Sequence, residues 1–235
     1  MKYTTDKDQR DFFQKEGKLE LAGLLSPTQV EGVNKAIDEA LAGRLGVPPE
    51  KWYSLPANEL FMRGRDLWRD SPVLKKFVSQ PRFTEIAADL MRKKPLRLGF
   101  DQLFPSMRQR IGGEGEPYSA FMEQTTTLEN MSSLRGIIGG LVVCLSSPSS
   151  TVVDRETNDP FPFEAGNVLF LSPQALISLK HIQQHPGQRY YLILYTQEIA
   201  HYQPQSLDPH AHGLKQLGYS YEEKLSDVIH PIIYR

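Results

Sequence analysis

An arginine at the head of an apolar run is the residue of this sequence best placed to hold an anion. Arg189 opens Arg-Tyr-Tyr-Leu-Ile-Leu-Tyr over 189–195. Side chains alternate between the two faces of a strand, so Arg189, Tyr191, Ile193 and Tyr195 share one side. A guanidinium on a buried face requires an oxyanion, which it grips with two parallel N–H donors. Two kinds of partner suit it. One is a bound small anion, with Tyr191 and Asp101 completing the ligand site. The other is a structural ion pair with Asp101 or another acid of the chain. His181 and His185 are four apart, which sets both on one face of a helix. Pro186 and Gly187 end any helix there, and a metal needs a third ligand on a fixed scaffold. No metal site is therefore expected, with His181 and His185 the fallback ligands. His210 and His212 are two apart and share no helical face. Glu123 with Glu129, and Asp154 with Asp159, read as solvated acids, because nothing fixes their geometry.

The remaining reactive candidate is the single cysteine, Cys144, inside Ile-Ile-Gly-Gly-Leu-Val-Val-Cys-Leu. One cysteine excludes an internal disulfide and a cysteine-based zinc site. Its apolar setting predicts a buried structural thiol. The glycines at 112, 113 and 115 have no Lys-Ser or Lys-Thr behind them, so they make no phosphate-binding P-loop.

The elements that position these residues fall into two halves. Residues 6–15 predict a helix stopped by Gly17, and Lys18–Ala22 a short strand. Ser26-Pro27-Thr28-Gln29 is a helix start with a capping box, Val30, Val33, Ile37 and Leu41 form its apolar stripe, and Gly43 is its predicted stop. Further helices are predicted over 72–78 and 82–91. From residue 96 the pattern changes to strands: 96–104, a start at 125–127, 135–146, a strand from Gly166, and the run from Arg189. A helix near 210–217 and a short strand or coil at 229–234 follow. Helices first and strands after predict an α+β chain: a double-stranded β-helix, jelly-roll or cupin-like barrel with an N-terminal helical layer. The whole of 1–235 is read as one domain. Its parts are a helical layer over 1–95, barrel strands over 96–200, and a C-terminal helix and tail over 201–235.

Composition bounds the partners. The 235 residues are 40% hydrophobic and 23% charged, with a net charge of −1. That balance suits a globular domain able to bury a full core. It gives no overall pull toward nucleic acid or an anionic membrane, and neither partner is expected. Arg92–Arg97 and Arg108–Arg110 cluster cations and read as solvated faces. No apolar run reaches the ~18 residues of a membrane span, and the first residues carry no apolar signal core, so a cytoplasmic protein is expected.

The opening, Phe12-Phe13-Gln14-Lys15-Glu16-Gly17 followed by Gly23-Leu24-Leu25-Ser26-Pro27-Thr28-Gln29-Val30, resembles the phytanoyl-CoA dioxygenase family of iron and 2-oxoglutarate enzymes. Leu67-Trp68-Arg69-Asp70-Ser71-Pro72, Asp101-Gln102-Leu103-Phe104, the strand from Gly166 and Gln188-Arg189-Tyr190 extend the likeness over most of the chain. The resemblance implies a His-x-Asp pair between the strands at 96–104 and 135–146, and a distal histidine after the strand from Gly166. Here the first region reads Tyr118-Ser119-Ala120-Phe121-Met122-Glu123-Gln124, and the distal position falls near Ile177. Neither supplies an imidazole. Arg189 stands where the resemblance implies the arginine that holds 2-oxoglutarate. The reading is a non-catalytic relative that binds a small anion or a protein, with no cofactor. Iron(II) and 2-oxoglutarate enter only under the alternative of an active oxygenase with an atypical metal site built from His181, His185 and a carboxylate. A divalent-cation-responsive regulator is a further alternative.

Overall fold

The computed structural model describes residues 4–55, 57–105, 124–147, 161–180 and 187–235. Asp6 and Gln9 close a capping box at the head of α1 (Lys7–Glu16), and Gly17, at φ 70°, ends it. The chain turns directly into β1 (Lys18–Leu21). Ser26 and Gln29 form the same box at the head of α2 (Pro27–Leu45). Gly43 does not stop this helix, since an interior glycine costs only about 1 kcal/mol against alanine. The stop is Gly46, at φ 67°, whose N–H returns to the carbonyl of Ala42. A 3₁₀ turn (Pro49–Ser54), α3 (Ala57–Arg63), a second 3₁₀ turn (Leu67–Arg69), α4 (Pro72–Val78) and α5 (Pro81–Met91) complete the first half.

The strands are β2 (Leu96–Phe104), β3 (Thr125–Thr126), β4 (Leu134–Ser146), β5 (Val168–Leu171), β6 (Ile177–Ser178), β7 (Arg189–Tyr202) and β8 (Ile232–Tyr234). Five of them join β1 in a six-stranded antiparallel sheet in the order β1-β5-β4-β7-β2-β8, and β3 pairs with β6 in a separate two-stranded sheet. The larger sheet thus recruits strands from both flanks of the 96–200 stretch: β1 lies among the helices and β8 in the tail. The helix expected over 210–217 is a single turn, α6 (Gly213–Gln216). The residues before it are spent on turns, with the N–H of His210 bound to Asp208 Oδ1 and that of Gly213 to the carbonyl of His210.

Both faces of the larger sheet are buried. On one face Leu141, Val143, Phe170, Tyr191, Ile193 and Tyr195 join an apolar cluster with Val33, Ile37 and Leu41 of α2 and Phe83, Ile86 and Leu90 of α5. On the other, Val142, Cys144, Leu169, Leu171, Tyr190, Leu192 and Leu194 cluster with Leu128, Ile177 and Leu179 around the small sheet. Cys144 is fully buried there, and burial pushes its thiol up to about 12, so it is inert. Gly166 fixes the approach of α2 to this frame. Its N–H binds the Cys144 carbonyl, its own carbonyl accepts from Leu25, and a Cβ at its φ of +93° would lie 2.5 Å from the Leu25 oxygen.

Candidate functional site

Arg189 points to the helices, not between the sheets. Its Nη2 lies 2.7 Å from Asp38 Oδ1 and its Nη1 donates to Asn34 Oδ1 at 3.0 Å, both on α2. Asn34 in turn donates to the carbonyl of Leu145 at 2.8 Å. The arginine therefore ties the start of β7 and the end of β4 to α2.

Asp101 and Tyr191 do come together, away from Arg189 and out of contact with solvent. Both are 0% exposed. Asp101 Oδ1 accepts from the N–H of Leu67 at 2.8 Å and Oδ2 from that of Trp68 at 2.9 Å. The carboxylate thus holds the 3₁₀ turn over 67–69 against β2. Burial, reinforced by the nearby Asp66, raises Asp101 to about 7. The Tyr191 hydroxyl lies beside it without hydrogen-bond geometry, and burial followed by the Asp101 charge raises that phenol well above its ordinary value.

The position implied for a distal histidine, Ile177, pairs with Thr126 across the small sheet and is 2% exposed. It shares its apolar cluster with Phe104, Leu128, Leu179, Tyr190 and Leu192. Among the described residues no three His, Cys, Asp or Glu side chains come together. His181, His185, Glu123, Asp154, Asp159, Arg108, Arg110 and the stretch 118–123 lie outside the described residues. His212 is exposed, and Arg97, grouped by sequence with a solvated cationic face, is 1% exposed.

Among the described residues a polar concavity lies elsewhere. A cleft of about 460 Å³ opens between the segment 62–70, Gly99 and Phe100 of β2, Ser133 and Leu134, the turn at 208–217, and His230. Arg44, Arg63, Arg65 and Arg69 line it with Asp66, Asp70 and Asp208. Most of these groups hold one another. Arg44 donates to the carbonyls of Arg63, Arg65 and Asp66 and pairs with Asp70. Arg65 stacks 3.7 Å over the Phe100 ring, donates to Gln102, and lies 3.1 Å from Asp208. Burial alone would raise Asp208, but Arg65 and the N–H groups of His210 and Ser133 hold it below the usual carboxylate range.

Two histidines of this cleft are neutral. Burial, then the charges of Arg69 and Arg97, lower His230 to about 3, and burial, then Arg65, lower His210 to about 3. Arg69 Nη2 lies 3.3 Å from His230 Nε2. Arginine only donates, so Nε2 accepts and Nδ1 carries the proton toward the Tyr219 hydroxyl 2.9 Å away. The sequence signal for the cleft is Arg63-Gly-Arg65-Asp66-Leu-Trp-Arg69-Asp70, where charges of both signs crowd around the anchors Phe61 and Trp68.

The arrangement defines a fold class: a curled antiparallel sheet with a smaller sheet on one face and helices on the other, the fold of non-heme iron, α-ketoglutarate-dependent enzymes. The non-heme α-ketoglutarate-dependent epimerase SnoN from nogalamycin biosynthesis superposes with a TM-score of 0.66 at 15% identity, over 97% of this chain and 98% of that one. The non-heme α-ketoglutarate-dependent carbocyclase SnoK from the same biosynthesis gives 0.65 at 16%, over 97% and 96%. HygX from Streptomyces hygroscopicus, solved with nickel and 2-oxoglutarate bound, gives 0.51 at 17%, over 94% and 98%. No protein-family model matches the chain, and no curated protein matches it in sequence. Among the described residues no helix is long and apolar enough to cross a membrane.

Proposed function

We propose that this chain uses the oxygenase fold without its iron chemistry, as a binding module for a small anion. We read its two sheets as the major and minor halves of a double-stranded β-helix and the chain as a diverged relative of the phytanoyl-CoA dioxygenases. The observation that carries the reading is Ile177. The resemblance puts the distal histidine's position near this residue, which lies inside a cluster of aliphatic and aromatic side chains. A facial-triad iron site needs imidazole and carboxylate donors with open positions beside them. Around Ile177 the wall offers apolar surface instead, and an iron ion does not fit that surface. Arg189, committed to Asp38 and Asn34, supports the same reading.

The test is anaerobic reconstitution with Fe(II), removal of free metal, and elemental analysis, followed by thermal melting with and without 2-oxoglutarate. The expected result is iron far below one atom per chain and an unchanged melting temperature. Stoichiometric iron with stabilisation by 2-oxoglutarate would overturn the reading and direct attention to His181 and His185.

A further inference from the structure

The arginine cleft answers to no site that the sequence predicts, and two observations single it out. The guanidinium of Arg63 is exposed on its wall and makes no hydrogen bond or ion pair among the described residues, whereas those of Arg44, Arg65 and Arg69 are each engaged. Three polar side-chain atoms of the wall are also buried without a hydrogen-bond partner: Asp66 Oδ1, Arg69 Nε and His210 Nε2. Arg69 Nε is 3.4 Å from Asp66 Oδ2, an ion-pair distance without hydrogen-bond geometry. An ionised Asp66 only accepts and Arg69 only donates. The wall thus lacks both a donor and an acceptor, and buried polar groups in a folded chain are normally paired.

We propose that the cleft binds a small organic anion that also carries a hydroxyl: a hydroxycarboxylate or a hydroxylated phosphate ester. The acid group sits on the guanidinium of Arg63 and on the one unpaired donor of Arg69, its Nε, and the hydroxyl donates to Asp66, which turns toward it as the ligand seats and uncovers that Nε. This rests on the reading of the chain as an anion-binding module and names the site and the ligand class. A bare cation suits the cleft poorly, because Asp70 and Asp208 are already held by Arg44 and Arg65. An anion without a hydroxyl leaves the Asp66 carboxylate facing a like charge. The volume of about 460 Å³ lies in the range of small-molecule sites.

Titration calorimetry on the full chain tests this with two matched pairs of probes: L-malate against succinate, and glycerol 3-phosphate against propyl phosphate. In at least one pair the hydroxylated member is expected to bind about tenfold tighter, the worth of one good hydrogen bond. The pair that responds identifies the acid group. Arg63→Ala, an exposed change that leaves the melting temperature unaltered, is expected to weaken that binding about tenfold or more. Arg189→Ala should leave it unchanged. No binding by any probe, equal binding within both pairs, or indifference to Arg63→Ala each overturns the proposal, as does loss of binding in Arg189→Ala alone. Iron loading together with a preserved preference for the hydroxylated probe would sink the non-catalytic reading while supporting the cleft.

Discussion

Asp101→Ala is expected to cost the fold about 3–5 kcal/mol, a drop of roughly 10 °C in melting temperature for a chain of this size. The substitution removes both oxygens that receive the N–H groups of Leu67 and Trp68. Those donors sit at the start of a 3₁₀ turn packed on β2, where Leu67 and Trp68 are buried. Two buried donors without partners cost about 1–3 kcal/mol each, and the deleted carboxyl leaves space that the turn must collapse into. A loss below ~1 kcal/mol by chemical denaturation would show that the turn holds without its anchor.

The same carboxyl gives stability a definite dependence on pH. Asp101 titrates near 3.8 in an unfolded chain and about 7 in the folded one. The folded form therefore keeps a proton that the unfolded form has lost. The resulting stabilisation is complete below 3.8 and vanishes as pH rises through about 7. His210 and His230 run the other way, from an ordinary 6.5 to about 3. Their contribution is complete above 6.5 and is lost as pH falls toward about 3. Between 3.8 and 6.5 two histidines outweigh one carboxyl, so stability rises with pH there and turns over above 6.5. A maximum is expected between pH 6.5 and about 7, with the alkaline limb flattened in Asp101→Asn. A melting profile that keeps climbing above pH 7 in the unsubstituted chain would contradict this.

Arg97→Met is expected to cost about 2–4 kcal/mol and to loosen the tail before the rest of the molecule. Arg97 is 1% exposed in the core of the sheet. Its Nε and Nη2 donate to the carbonyl of Glu198, Nη1 to that of His230, and Nη2 also to Asp227 Oδ1 at 2.7 Å. One planar group thus joins β2, the far part of β7 and the segment leading into β8. Methionine fills the stem and satisfies none of these acceptors. Lysine should not rescue the variant, because a single ammonium cannot match a five-donor fork. Hydrogen exchange is the measurement of choice, with amides from 227 onward exchanging first. Uniform exchange across the sheet would instead mean that Arg97 stabilises the fold without fastening the tail.

Local structure was readable where a side chain meets its own backbone. The box Ser26–Gln29 formed as expected, and β2 spans 96–104 as expected; the second box, Asp6–Gln9, has the same spacing. Alternation also placed Arg189, Tyr191 and Ile193 on one side of β7. It could not tell which side that was. Tyr190, Leu192 and Leu194 are as apolar as Tyr191 and Ile193, and both sets are buried, so the strand carries no polar face to orient it. Asp38, which decides the matter by meeting Arg189, stands 151 residues away in the chain. The arginine cleft was hidden for the same reason. Arg44, the charges at 63, 65, 66, 69 and 70, Asp208, His210 and His230 meet only in three dimensions, and each alone reads as a surface group.

The segment 64–66 has a second occupation. β8 reaches only Leu96 and Arg97 on the outer side of β2. Farther along, Asp66 N–H binds the carbonyl of Asp101, Leu103 N–H binds that of Gly64, and Arg65 bridges to Gln102. The strip that carries Arg65 and Asp66 of the cleft is thus also the cover on an otherwise open strand edge. Such an edge, uncovered, is a template for pairing with another chain. A displacement of this strip would therefore open the β2 edge and disturb the wall of the cleft together.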